Sequence, residues 1–310
     1  MSTDKTAQSG SRKFPSDDEE IICDYNQLNY MSKLLDGKKV SELLAKGLAI
    51  KVRKLKNKPK LAIIQVGDLE ESNTYIKKKL AFAKKIGVIA IHKKYPKNAR
   101  ENEIISDILK YNADVSVHGV MIQLPLSKGF NKNNILESIS SKKDVDGLTA
   151  KNTKLLFDNS EAFVPATTKG ILSLFEYYKI NLTGKKAIIV GQSSLVGKPT
   201  ALAFLNRKAT VTVCNIHTKN LEKETKSADI LVVAAGHPNL ITKKHVHKNQ
   251  IVIDVGINIL PNGKITGDAD YKNIKSLVRA ITPVPGGAGP MTVVSLFQNL
   301  LKAYFGAKKS

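Results

Sequence analysis

The run Lys186-Ala187-Ile188-Ile189-Val190 is followed at once by Gly191, and Gly197 and Pro199 stand a short turn further on. No other segment constrains the fold of this chain as much. A short apolar run with β-branched residues reads as a buried strand. A glycine at its end permits a tight turn, and a proline suits the first turn of a following helix. The unit is therefore a strand, a glycine-flanked turn over Gly191-Gln192-Ser193-Ser194-Leu195-Val196-Gly197-Lys198-Pro199, and a helix over 199–207. Further apolar runs at Thr210-Val211-Thr212-Val213, 229–235 and 251–255 alternate with polar, helix-like stretches. Strands and helices alternating in this way predict a parallel sheet covered by helices, the doubly wound α/β arrangement.

The same alternation runs through the first half of the chain. Residues 40–55 read as an amphipathic helix, 61–66 as a strand, 88–92 as a short strand, 101–111 as a helix and 118–123 as a strand. A helix over 168–179 opens the second unit after Pro165, and a last helix runs from Met291 to Phe305. A chain of 310 residues can bury two cores. The expectation is an α/β protein of two αβ domains with a cleft between them. The first covers 31–165 and is completed by the C-terminal helix within 291–310; the second, of Rossmann type, covers 166–282. Residues 1–30 are polar and without periodicity and read as a disordered extension, with Met31 as a candidate second start.

Composition narrows the function classes. The net charge is +22, which raises the question of a polyanionic partner. The lysines are spread along the chain, aromatics do not interleave with them, and arginine, the usual reader of bases, is rare. Nucleic acid is therefore not the expected partner; a basic mouth for an acidic small substrate fits better. No apolar run approaches the ~18 residues of a membrane span. The N-terminus has no apolar signal core, and Asp17-Asp18-Glu19-Glu20 argues against a transit peptide. Cys23 and Cys214 form neither a disulfide framework nor a metal motif, which points to the reducing cytoplasm.

Chemistry is suggested at five places. The first is Ser72-Asn73-Thr74-Tyr75-Ile76-Lys77-Lys78-Lys79, where Ser72, Asn73 and Thr74 are good helix N-caps and Gly87 is a natural stop. On that helix Tyr75, Lys79, Phe82 and Ile86 share a stripe, while Lys77 and Lys84 point away. Lys79 on an apolar face either snorkels to water or is buried with a lowered pKa. Second, Gln123 ends a strand just before Pro125, on the side where parallel sheets bind ligands. Third, Lys143-Asp144-Val145-Asp146-Gly147 reads as an Asx-type turn or as a carboxylate for an amino-heterocycle. Fourth, the Gly191–Gly197 turn before a helix N-terminus suits a pyrophosphate, although Ser193 replaces the usual second glycine. The next strand ends in Cys214-Asn215-Ile216-His217-Thr218, which offers neither the acid that favours NAD nor an arginine for NADP. Fifth, three glycines and three prolines crowd the run from Ile281 to Thr292, a density that specifies an unusual backbone path. His245 and His247 alternate but lack a third ligand, so no metal is expected.

Together, and in this order, these segments resemble the bifunctional methylenetetrahydrofolate dehydrogenase/methenyltetrahydrofolate cyclohydrolase family, from about Met31 to Leu301. The resemblance implies a homodimer of two-domain subunits, with tetrahydrofolate derivatives bound in the cleft beside a nicotinamide; the lysine excess would suit polyglutamylated forms of them. Lys79, Tyr75, Gln123 and Asp146 would be the catalytic set. Tyr75 would pack on the folate, Gln123 would bond to Lys79, and Asp146 would anchor the pterin. Leu124, Pro283, Gly286 and Gly287 would also touch substrate. Gly191, Gln192, Ser193, Val196, Gly197, Ile216, His217 and Ile257 would hold NADP or NAD. Two family features that face the 2′-phosphate of NADP, an arginine and a serine, are here Gln192 and Ile216, which leaves His217, Lys219 or Arg207 as nearby cations. The alternatives are a dehydrogenase that uses NAD without the hydrolytic step, and a basic nucleic-acid-binding protein with a decayed cofactor site.

Overall fold

The computed structural model describes residues 33–307. The predicted extension 1–30, with Met31 and Cys23, lies outside them. In chain order the first half holds β1 (Lys33–Leu34), α1 (Gly37–Arg53), β2 (Lys60–Val66), α2 (Glu70–Ile86), β3 (Ile89–Tyr95), α3 (Glu101–Ala113), β4 (Gly119–Ile122), α4 (Lys132–Glu137) and α5 (Ala150–Phe157). There follow α6 (Ala166–Tyr177), β5 (Lys186–Val190), α7 (Gly197–Leu205), β6 (Thr210–Cys214), α8 (Leu221–Lys226), β7 (Ile230–Val233) and β8 (Ile251–Asp254). The chain continues through β9 (Asn258–Ile259), β10 (Ile265–Thr266), α9 (Tyr271–Ile274), β11 (Ala280–Ile281) and α10 (Ala288–Ala307).

Two parallel sheets organise these elements. The smaller has the order β3-β2-β4 and the larger β1-β11-β8-β7-β5-β6, while β9 and β10 form a separate antiparallel pair. Both large sheets are covered on both faces, as parallel sheets require. In β2, Leu61 and Ile63 face the central core, whereas Ala62, Ile64 and Val66 face the outer layer with Ile104 and Ile108 of α3. In β5, Ala187 and Ile189 join the same central core, and Ile188 and Val190 join the outer layer of the larger sheet. One continuous apolar cluster therefore joins the inner faces of both sheets through α1, α2, α6 and α10. The strand β1 crosses the boundary expected from sequence: Lys33 and Leu34 pair with Ala280 and Ile281 and so extend the larger sheet.

The predicted elements are found, with shifted ends. The helix α2 starts at Glu70, not at Ser72–Thr74, and its N-cap Leu69 has no side-chain cap bond. Glu70 and Glu71 in the first turn favour its N-terminal dipole instead, and Asn73 is turned to Asp68 and Gln65. Gly87 ends α2 in the left-handed conformation, at φ 79°, as expected. The strand β3 runs on to Tyr95 because His92, Lys93 and Lys94 occupy an edge strand, where polar side chains reach water. Lastly, α10 begins at Ala288, three residues before Met291, so part of the glycine- and proline-rich run is helical.

Candidate active site

The helix α2 has its buried stripe at Ser72, Ile76, Lys79, Ala83 and Ile86, with Tyr75 half-buried at its margin. Lys79 does not snorkel: it is 8% exposed, and its Nζ donates to Gln123 Oε1 at 2.9 Å. Gln123 follows β4, its backbone N–H bonds to Ile64 O at 2.8 Å, and its Nε2 donates to Leu124 O at 2.7 Å. Both ends of its amide are thus fixed, with the oxygen turned to the lysine. Burial pulls the Lys79 amine below the usual lysine range, and the nearby Asp146 carboxylate opposes that only in part. Burial likewise pushes the Asp146 carboxyl up, against the lowering effect of Lys79. Burial raises the Tyr75 phenol too, with Glu71 adding to it.

In the run 143–147 the turn-holding reading falls to one of the two carboxylates. Asp144 is buried and accepts from Gly147 N, Thr149 N, Thr149 Oγ1 and Asn152 Nδ2, all within 2.9 Å. It is the turn-holding residue. Gly147 is required at φ 71°, since a Cβ there would lie 2.3 Å from Phe163 O. The turn leaves Asp146 free to face Lys79.

These four side chains open into a cleft of about 290 Å³ that both lobes line. Tyr75, Lys79, Gln123, Leu124 and Asp146 supply one wall. Val196, Leu195, Val255 and Ile257 of the larger lobe supply the other, and Ala288, Gly289 and Thr292 at the start of α10 close one end. Ala166 and Thr167, at the start of α6, line it as well, and the Thr292 hydroxyl bonds to that of Thr167 at 3.3 Å.

The glycine turn has the shape a dinucleotide needs. A Cβ at Gly191 would lie 2.1 Å from Ala234 O, and one at Gly197 would lie 2.0 Å from Gly191 O. At the start of α7 the Ser193 hydroxyl accepts from Val196 N at 3.2 Å and Gly197 N at 3.5 Å, so the first N–H groups of the helix point into the turn, where a bound anion would meet them. These residues fit a bound pyrophosphate. Beyond it, Asn215 Nδ2 donates to Gln192 Oε1 at 3.1 Å, and Ile216 is 94% exposed beside an exposed His217. Lys219 is on the same edge of the sheet. Arg207 is not: it follows α7, about 13 Å of helix away from the turn, and bonds to Ala203 O. It is removed from the candidates for a 2′-phosphate.

The remaining expected substrate contacts lie in the connection before α10. Gly287 is buried against α1, where a Cβ on Gly37 would lie 2.0 Å from Gly287 O, and Gly286 O accepts from Lys38 N at 2.8 Å. Pro283, Gly286 and Gly287 sit in the connection that leads into α10, whose first residues, Ala288 and Gly289, line the cleft. Among the described residues no group of three His, Cys, Asp or Glu side chains could hold a metal. His245 bonds to Thr242, and His247 lies 3.0 Å from Ala228 O. No described helix is long and apolar enough to cross a membrane. Sequence reasoning missed Leu195 and Val255 as cleft walls, because each is an ordinary apolar residue until the lobes meet; the start of α10 lies within the glycine- and proline-rich run that the sequence singles out. It also missed the buried pair Asp254 and Asp268, for which the only signal was an acid at the end of a strand.

Comparison with known proteins agrees with this geometry. Residues 35–146 match the profile of the tetrahydrofolate dehydrogenase/cyclohydrolase catalytic domain, and residues 165–308 that of the corresponding NAD(P)-binding domain. The bifunctional protein FolD of Nautilia profundicola is 43% identical over 273 residues, which is 87% of this chain and 96% of that protein. The crystal structure of the bifunctional FolD methylenetetrahydrofolate dehydrogenase/cyclohydrolase of Campylobacter jejuni superposes with a TM-score of 0.87 at 42% identity, covering 90% of this chain and 99% of that one. The Trypanosoma brucei methylenetetrahydrofolate dehydrogenase-cyclohydrolase, solved with NADP and an inhibitor, gives a TM-score of 0.86 at 28% identity over 90% of this chain and 99% of that one. With both domain profiles matched in order and such identity over nearly the whole of its relatives, the chain belongs to the tetrahydrofolate dehydrogenase/cyclohydrolase family.

Proposed function

We propose that this protein oxidises 5,10-methylenetetrahydrofolate to 5,10-methenyltetrahydrofolate with NAD(P)+ and then hydrolyses the product to 10-formyltetrahydrofolate in the same cleft. The observation that carries this reading is the buried Lys79–Gln123 pair, 2.9 Å apart, in a cleft whose other wall belongs to the nucleotide lobe. The dinucleotide, bound at the Gly191–Gly197 turn, supplies a hydride acceptor. Removing hydride from the methylene carbon needs close approach and alignment more than a strong base. Tyr75 and Leu124 would stack against the folate, and Asp146 would take hydrogen bonds from the pterin amine and ring nitrogen.

The second step uses Lys79 directly. Water adds to the methenyl carbon, one C–N bond breaks as the formyl C=O forms, the released ring nitrogen takes up one proton of the water, and the other is lost to solvent. An amine whose pKa is lowered can remove the proton from the water and return it to that nitrogen. Gln123, with its oxygen turned to Nζ, would hold the amine in place.

The choice of nucleotide follows from a neutral pair. Gln192 and Asn215 bond to each other where an arginine would meet a 2′-phosphate and an acid would meet a ribose hydroxyl. This supports use of both NAD and NADP, with His217 and Lys219 as the cations left for the phosphate. Polyglutamylated folates, suited by the lysine excess, and a homodimer, implied by the family resemblance, complete the proposal.

The test is a spectrophotometric assay of the purified protein with 5,10-methylenetetrahydrofolate, run in parallel with NAD and NADP, beside direct hydrolysis of 5,10-methenyltetrahydrofolate. The reading requires reduced nucleotide with at least one of the two, together with hydrolysis. Hydrolysis alone would leave a cyclohydrolase with a failed nucleotide site; reduction alone would remove the role of Lys79.

A further inference from the structure

Two carboxylates outside the catalytic set are buried beneath the nucleotide side of the cleft. Asp254, the last residue of β8, is 1% exposed, and Asp268, just after β10, is 0% exposed. Amide N–H groups hold both. Asp254 Oδ1 accepts from Gly256 N and Asp268 N, each at 3.0 Å, and its Oδ2 accepts from Ala269 N at 2.9 Å. Asp268 Oδ2 accepts from Ala235 N at 2.6 Å and Gly236 N at 2.8 Å, and its Oδ1 accepts from Asn258 Nδ2 at 2.8 Å. The two carboxylates act in series: Asp254 fixes the backbone of Asp268, and Asp268 fixes the segments after β7 and β8.

The surroundings leave no slack. A Cβ at Gly256 would lie 2.2 Å from Asp268 Cγ, and one at Gly267 would lie 1.9 Å from Asp254 Oδ2. Between Gly256 and Asn258 stands Ile257, a wall of the cleft that is still 41% exposed. Ile257 is thus only partly packed, with its Cδ1 towards Gly289. Its place is set by its two neighbours, one bonded to each carboxylate. None of these bonds reaches α2 or β4, which carry Lys79 and Gln123.

We propose that Asp254 and Asp268 are positioning residues for the hydride step: they fix Ile257 and the Ala235–Gly236 backbone at the nucleotide wall, and they leave the hydrolytic step alone. This rests on the bifunctional reading above. An ordinary structural pair would affect both activities together, so the division between them is what distinguishes the two cases.

The experiment measures both activities separately in the full-length protein carrying Asp268→Ala or Asp268→Asn. Asp268→Ala should lower dehydrogenase kcat by about 10- to 100-fold, the scale of a small misplacement of reacting groups, while hydrolysis of methenyltetrahydrofolate stays within about twofold. Asp268→Asn should recover most of the loss, since one amide oxygen can take both backbone N–H groups while the Asn258 amide turns over to accept. Equal loss of both activities, or an unimpaired dehydrogenase in Asp268→Ala, overturns the proposal. If Asp268→Ala does not fold, Asn258→Ala cuts only the bond nearest Ile257 and should give the same division more weakly; equal effects on the two activities there overturn it as well. Wild-type protein that hydrolyses methenyltetrahydrofolate yet reduces neither nucleotide would defeat the bifunctional reading itself, a result visible before any variant is made.

Discussion

A lysine amine taken out of water is disfavoured in its charged form, and Lys79 has only a neutral amide oxygen as its hydrogen-bond partner. That environment loosens the hold of the amine on its proton, which suits proton transfer better than it suits stability. Lys79→Met should therefore lower hydrolysis of methenyltetrahydrofolate by about 10²-fold or more, the size of a general acid–base contribution, while the folate still binds. Binding measured by fluorescence or calorimetry, beside the rate, checks both halves; substantial remaining hydrolysis would remove Lys79 from the mechanism. The sequence marked this residue by its place on an apolar stripe. It left open whether the side chain reached water, because the groups that bury it come from β4 and the turn before α5. At the other wall Gln192→Arg should lower KM for NADP relative to NAD by about 10- to 100-fold, the equivalent of a charge-assisted hydrogen bond of about 1.5–3 kcal/mol. Unchanged KM values in steady-state kinetics would mean that His217 or Lys219 already holds the phosphate.

At the scale of elements, strands and glycine turns were legible because each is written in neighbouring residues. The strand β5 is found at the predicted residues, and Gly191 and Gly197 stand where any side chain would strike backbone. Helix starts were less legible, since the real cap of α2 is a leucine and Asn73, a better capping residue, serves other partners. The two readings of Asp144 and Asp146 were indistinguishable in sequence, because either could have held the turn. Docking of α3 onto β3 offers a test of a different kind. Asp107 accepts from Tyr95 OH at 2.6 Å and Lys110 Nζ at 2.7 Å, and these bonds, Lys110 foremost, hold its carboxyl at about 2. A carboxylate whose folded pKa is depressed stabilises the fold above its unfolded value, here 3.8, and that contribution is lost as pH falls through about 2. Asp107→Asn should therefore lower Tm at neutral pH, and the gap to wild type should shrink steadily below about pH 4. Melting curves across that range decide it; a gap independent of pH would assign the effect to packing.

In the whole molecule, α10 is the element that makes two lobes into one body. It packs on α6, α1 and α2, and Phe297, fully buried, stacks on Phe82 at 5.0 Å. Phe297→Ala should cost about 3–5 kcal/mol and lower the Tm of a single calorimetric transition. Two separated transitions would show that the lobes fold independently, and a negligible shift would mean that the helix is not a central support. The family resemblance was legible because its motifs are local runs, each with a spacing fixed by one helix, strand or turn. Hydrophobic periodicity and the Gly191–Gly197 turn determined the α/β class, the order of elements and the faces on which Tyr75, Lys79 and Gln123 lie. Only the tertiary structure decided what those faces meet: that Lys79 is buried against Gln123, 44 positions away, that Ile257 faces it across a cleft, that Arg207 is out of reach, and that Asp268 underlies the far wall. The physical reason is that periodicity fixes the direction of a side chain within its own element, whereas its partner depends on how both sheets pack against a shared core.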